Sequence, residues 1–383
     1  LNLRNGGQHV WSDKLQDAII SNIARGTHIS YSSWEPAILY LNGDFWGIYG
    51  VREKIDEHYV ENNFAVSSES VDLMNTFEVL HGEGLSFNSD VEYILNSDPE
   101  SEGFIDVFDA VFDVDSYIDY FVFETFTQNS DWIGIFWNAN NMKLFRSNQL
   151  DGKWRYAMYD MDASYGYFGA GIYENYIEYA RNPGFVNNHS MIFDHVLDND
   201  EFKCLFVNRY ADLLNTHFRQ DYFNNVVDSM YSLLSATMPL NIQRWGQVES
   251  YNDWLSSVQS IKYYNFNRLN PARDNVVNSF GLPGTVDVIL DVFPDGAGQV
   301  KISTVVPESF PWTGEYFKGC PVKIEALPNE GFGFVEWQNN THMNEGAMGS
   351  DSQTVNLELT DDDSFIALFQ PCLSSISVSI QNI

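Results

Sequence analysis

KWRYAMYDMDASYG (153–166) reads as an apolar strand, Trp154 to Tyr159, that runs out at Asp160-Met161-Asp162. Upstream, NNMKLF (140–145) forms a second arm, and Asp151-Gly152 carries the turn chemistry between the two. Pairing these arms returns both ends of the hairpin to one neighbourhood. Asn129-Ser130-Asp131-Trp132 lies just before the first arm, so Asp131, Asn141, Asp160 and Asp162 are expected to converge. On an extended segment Asp160 and Asp162 point to one side. Carboxylate and amide oxygens suit magnesium, manganese or calcium rather than zinc. Phosphoryl transfer uses such a set, with cations offsetting phosphate charge and a carboxylate orienting the attacking hydroxyl. Asp-x-Asp is also common in solvated loops, and spacing alone leaves that reading open.

Working outward, Asp115 to Thr127 is helical in pattern, with Ser116 or Asp115 as its cap. Asp13 to Ile23 carries Leu15, Ala18, Ile19 and Ile23 at helical spacing behind a Ser12 cap. Ala37–Leu41 and Phe45–Val51 flank Asn42-Gly43, a strong short hairpin signal. That hairpin runs through Arg52-Glu53-Lys54 into a helix ending near His58. Residues 61–103 are polar and acidic and read as a helix-bearing insertion. Helices are expected over 202–218, 223–238 and 254–280, with Pro239 breaking one and Pro271 marking a first turn or kink. At Leu282-Pro283-Gly284 the composition shifts. Short strands then recur at 286–293, 299–306, 321–327, 332–337, 354–359 and 365–369, the spacing of a small β domain. The fold class is α+β, with domains at 1–282 and 283–370 and a tail at 371–383.

Aromatic residues make up 15% of the 383 residues and 44% are hydrophobic, enough for a sizeable core. Twenty Lys+Arg against 53 Asp+Glu leave a formal charge of −33. Such a surface repels phosphate backbones and anionic lipid, which argues against nucleic-acid or membrane-surface partners. Solubility in a salty exterior and deliberate cation binding both account for the acidity. Three cysteines without a C-x-x-C disfavour zinc and thiol redox chemistry. Cys320 and Cys372 either pair or remain packed thiols. No run reaches 18 uninterrupted apolar residues.

Taken in order, LNLRNGG (1–7), LNGDFWGIYGVREKID (41–56), NSDW (129–132), NN (140–141) and KWRYAMYDMDASYG (153–166) resemble the marks of the CotH family. RYADLL (209–214), Arg244-Trp245, Arg268 and Arg273 continue the resemblance, which covers about residues 1–282. It implies an atypical protein-kinase-like fold, with ATP and Mg2+ or Mn2+ as cofactors and a protein Ser or Thr as acceptor. By the same resemblance Asp131 is the catalytic carboxylate, Asn141, Asp160 and Asp162 are metal ligands, and Glu53 serves the nucleotide. Glu53 between Arg52 and Lys54 also reads as a surface ion-pair member. Trp46, Tyr49 and Trp154 read as core, and Arg244-Trp245 and Arg268 as helix braces. Members of the family usually carry a lysine-bearing nucleotide segment ahead of the L-R-N-G-G stretch; this sequence contains none, so the kinase expectation depends on such a segment upstream of Leu1, and the scaffold expectation holds without it.

Residues 310–337, with Gly331-Phe332-Gly333-Phe334-Val335-Glu336-Trp337, resemble repeats of secreted or cell-surface bacterial proteins. Three functions therefore stand: a kinase of an extracellular or coat protein, a non-catalytic surface scaffold on the same fold, and a glycosidase using paired carboxylates. Clustering of the acids with amides ranks the glycosidase last.

Overall fold

The computed structural model describes residues 1–83, 86–339 and 352–372. It divides into two compact units, Leu1–Gly281 and Leu282–Ile383.

The first unit opens with β1 (Asn2–Arg4), a 3-10 turn (Gly7–Trp11) and α1 (Gln16–Ile23). The α1 cap is not Ser12. Asp13 Oδ1 accepts from the amides of Leu15 and Gln16, both at 2.7 Å, and satisfies the free N–H groups from two residues further on. Next come β2 (Ser30–Tyr31), then β3 (Trp34–Leu41) and β4 (Asp44–Arg52), joined by Asn42 and Gly43 at φ 52° and 88°. Both positive angles match a type I′ hairpin turn. β1, β4 and β3 form an antiparallel sheet in that order.

After α2 (Glu57–Phe64), residues 61–103 depart from expectation. They hold β5 (Val71–Asn75), β6 (Glu78–His81) and α3 (Ser86–Leu95). β5 pairs antiparallel with the later β7, inside a five-stranded sheet rather than on an insertion. Its apolar residues are too few for local sequence to reveal it. α4 (Phe104–Asp109) leads to α5 (Val114–Thr127), whose cap is Asp113, accepting from Ser116 N at 2.8 Å. Ser116 and Asp115 lie inside the first turn. From Ser116 onward α5 is buried all round, as befits its aromatic content. Tyr120 stacks on Tyr156 at 4.7 Å and Phe121 on Phe193 at 4.2 Å.

The arms of the deciding hairpin are β7 (Lys143–Ser147) and β8 (Arg155–Met158), antiparallel in the sheet β2-β8-β7-β5-β6. Asn140 and Asn141 precede β7 as loop, not strand. Helices α6 (Tyr176–Arg181), α7 (Asn188–Val196), α8 (Asp200–Asn215), α9 (Gln220–Ser235), α10 (Met238–Trp245) and α11 (Tyr251–Phe280) complete the unit. Pro239 sits in the first turn of α10, and Pro271 lies inside α11. Arg268 is buried and donates to the carbonyls of Phe126 and Ile172, at 3.2 and 2.6 Å. Trp245 Nε1 donates to Trp46 O at 2.6 Å.

The second unit is all β. β9 (Thr285–Phe293), β10 (Gly298–Ile302), β11 (Trp312–Phe317), β12 (Val322–Pro328), β13 (Phe332–Asn339), β14 (Thr354–Leu357) and β15 (Asp363–Pro371) form sheets β11-β9-β15-β13 and β10-β12-β14. Burial alternates along β9, β10, β12 and β14, the period of half-buried strands. β11 falls outside the strands expected from sequence. Cys372 is free and exposed, so it does not pair with Cys320. Of the tail, residues 373–383 lie outside the described residues.

Candidate active site

Two loops and one strand end build the site. β8 delivers Tyr159 and Asp160, and Asp160 adopts φ 57°, turning the chain into a 3-10 turn at Met161–Ala163. That left-handed residue removes the extended geometry expected for the Asp-x-Asp doublet. The two carboxylates nevertheless meet on one guanidinium: Arg4 Nη2 donates to Asp160 Oδ1 and to Asp162 Oδ2, both at 2.6 Å. Asp162 is buried; Asp160 is about one-third exposed. Burial pushes the Asp162 carboxyl up, and Asp17 and Asp160 add to this while Arg4 opposes it. Asp162 Oδ2 also accepts from Gln8 N at 2.9 Å, whereas its Oδ1 is buried without any hydrogen-bond partner.

The turn is held from behind. Asp17 of α1 accepts from Met161 N at 3.0 Å and from Arg52, the last residue of β4. His9 Nδ1 donates to Asp13 Oδ2 at 2.9 Å and Nε2 to Asp162 O at 2.8 Å. Against the burial that would lower it, these acceptors push the imidazole up to about 9, so both nitrogens carry protons.

The second loop follows α5, which ends at Gln128 in the left-handed region. Ser130 N donates to Ala163 O at 3.1 Å and Asn129 Nδ2 reaches Met161 Sδ at 3.6 Å, so this loop lies directly on the Met161–Ala163 turn. Asp131 projects from it, half-buried. Its carboxylate accepts from Trp137 Nε1, from Asn141 Nδ2 at 3.0 Å and from Asn140 Nδ2 at 3.4 Å. Trp137 and the neighbouring Phe168 are exposed, with ring centroids 5.1 Å apart.

A cavity of about 520 Å³ opens beside the turn. It is lined by Glu53 and Asp160 together with Asp17, Arg4, Arg52, Lys54, Lys143, Tyr49 and Tyr159. Glu53 pairs with neither sequence neighbour: Arg52 binds Asp17, Lys54 lies 3.2 Å from Asp56, and Glu53 Oε1 accepts from Asn63 Nδ2 at 3.1 Å. Asp131 and Asn141 thus form one directly bonded pair, and Arg4 joins Asp160 to Asp162. Glu53 bonds directly to neither group. Among the described residues no three His, Cys, Asp or Glu side chains form a metal-binding group.

Arg4, His9, Asp17, Arg52 and Lys143 were not singled out from sequence. Two carried a usable signal. Alternation along β4 sets Arg52 on the buried face with Ile48, and Lys143 falls inside an apolar strand. Asp17 breaks the apolar spacing of α1 and left none.

The family model described as CotH kinase protein matches residues 1–270. No curated protein matches the chain. With well over half the chain covered, and with the matched residues carrying every side chain of the cavity, this protein belongs to the CotH kinase protein family.

Proposed function

We propose that the chain provides an ATP- and divalent-metal-dependent protein kinase domain, transferring phosphate to Ser or Thr of an extracellular or coat protein. One observation carries the reading: the bonded Asp131–Asn141 pair sits on a loop joined backbone-to-backbone with the turn that bears Asp160 and Asp162. Asp131 would receive the acceptor hydroxyl's proton as that oxygen bonds to the γ-phosphorus and the γ-phosphorus–β-phosphate oxygen bond breaks, releasing ADP, and its three donors fix the direction it faces. Asn141, Asp160 and Asp162 hold Mg2+ or Mn2+, and Glu53 lines the nucleotide cavity. The donors fit a hard cation: they are all oxygen, and Asp162 Oδ1 is a buried anionic oxygen without a donor. ATP and its metal supply the transferable phosphoryl group and offset its charge.

Arg4 supports a second reading. It already neutralises Asp160 and Asp162, as a non-catalytic scaffold on this fold requires. The charge of −33 favours neither nucleic acid nor anionic membrane as partner in either case. Among the described residues no helix is long and apolar enough to cross a membrane. Resemblance of residues 310–337 to bacterial surface repeats supports a secreted or cell-surface site.

Calorimetric titration of ATP with Mg2+ or Mn2+, repeated after chelation, tests the proposal. Metal-dependent binding lost in Asp160→Asn, with transfer but not binding lost in Asp131→Asn, is the expected pattern. Absence of nucleotide binding under every condition moves the conclusion to the scaffold.

A further inference from the structure

The cavity inverts the charge balance of the chain. Lysine and arginine number 20 against 53 acidic residues overall, yet the lining carries four cations, Arg4, Arg52, Lys54 and Lys143, against three carboxylates. Three of these cations have carboxylate partners: Arg4 and Arg52 on Asp17 and its neighbours, Lys54 on Asp56. Among the described residues Lys143 has no ion-pair partner. Only 6% of it is exposed, its Nζ donates to the carbonyl of Ile55 at 2.8 Å, and the ammonium lies 4.3 Å from the centre of the Tyr159 ring. The residue stands on β7 in the same layer as Phe145, beside a core of Ile55, Tyr59, Leu73 and Ala157. A buried ammonium held by one neutral oxygen and one ring face is costly, because burial removes its water and those contacts return less than an ion-pair partner would. Buried charges persist where a counter-charge is supplied, and here the open side of the ammonium is the cavity.

We infer that Lys143 anchors the phosphate chain of an anionic ligand in this cavity, the polyphosphate of a nucleotide. The inference rests on the nucleotide reading above, and it places a phosphate-binding lysine on β7, within the chain itself. The alternative is a strut that only ties β7 to the Ile55 segment.

The probe is inorganic tripolyphosphate, titrated without metal or nucleotide into wild-type protein, Lys143→Met and Lys143→Arg, with Lys153→Met as control. Binding to the wild type, weakened at least tenfold in Lys143→Met and largely kept in Lys143→Arg and Lys153→Met, is expected. Thermal melting adds a second expectation, since Met fills the stem's volume without the charge: Lys143→Met melts no lower than wild type, and tripolyphosphate stabilises wild type, Lys143→Arg and Lys153→Met but not Lys143→Met. Equal affinity in Lys143→Met overturns the inference, as does a lowered melting point with unchanged binding, the behaviour of a strut. Should Lys143→Met fail to fold, acetic anhydride labelling of wild type decides: tripolyphosphate must protect Lys143, and absence of protection overturns the inference. ATP binding indifferent to Lys143 sinks this inference alone. Lys143-dependent tripolyphosphate binding without any phosphoryl transfer sinks the kinase reading alone.

Discussion

Glu124 on α5 shows what one buried group does to the response to pH. Its carboxyl is fully buried, and burial pushes the group up to about 8, with the neighbouring Asn129 and Tyr120 side chains only partly opposing the shift. It therefore stays protonated in the folded protein while the unfolded chain ionises near 4.5. The native state binds the extra proton between those values, so its stability falls as pH rises from 4.5 to about 8 and then levels off. Replacing it by Gln, which needs no proton, is expected to raise the melting temperature at pH 8 more than at pH 5. Equal shifts at both pH values would contradict the assignment. His9 acts in a neighbouring window. Its imidazole is raised to about 9, so its contribution is complete below 6.5 and lost as pH climbs through 9. The two effects share a direction and are separated by which variant flattens which part of the curve. Neither residue advertised itself in the sequence, because a Glu at a helical position and a His in a turn acquire these properties only from what surrounds them.

At the scale of the element, the segment from β1 through the 3-10 turn to α1 wraps the carboxylates. It supplies Arg4, the Gln8 amide, His9, Asp13 and Asp17, all within the first 17 residues. Gly7 makes the wrap possible: its φ is 57°, and a Cβ there would meet Asp162 Oδ2 at 2.0 Å and Arg4 Nη2 at 2.6 Å. Gly7→Ala is expected to destabilise the unit by about 1–3 kcal/mol, the range for a strained backbone position. It should also disturb nucleotide and metal titration, because the displaced group is Asp162 itself. Unchanged melting and unchanged titration would show that the wrap is loose. The helices and hairpins of this unit were largely legible, since apolar spacing and Asn-Gly are local signals. β5 was not legible, because its place was decided by pairing with β7, whose partner residues lie 68 to 76 positions later (Asn75 with Lys143, Val71 with Ser147).

For the whole molecule, net charge governs the response to salt. A surface carrying −33 repels itself, and salt screens exposed charges over about 10 Å at 0.1 M. Melting temperature is expected to rise as sodium chloride goes from 10 mM to 0.5 M. A fall would mean that the ion pairs, among them Arg146 with Asp72 and Asp90, outweigh the repulsion. The cavity is the exception to this field, since four of the chain's few cations gather there. That concentration separates a place for an anion from a surface that otherwise repels anions.

The sequence by itself determined the α+β class, the change of character near Leu282, most helices, both key hairpins and the family, because periodicity, turn chemistry and ordered motifs are written locally. It also named Asp131, Asn141, Asp160 and Asp162 as one neighbourhood. Only the tertiary structure decided what those residues touch. It gave Asn141 to Asp131 and set Arg4 between Asp160 and Asp162. It also put His9 and Asp17 behind the turn and left Lys143 with the Ile55 carbonyl and the Tyr159 ring face. The physical reason is that a side chain's partners, burial and charge state depend on distant residues, 158 positions away for Arg4 and Asp162. No local pattern encodes which distant carboxylate an arginine will meet.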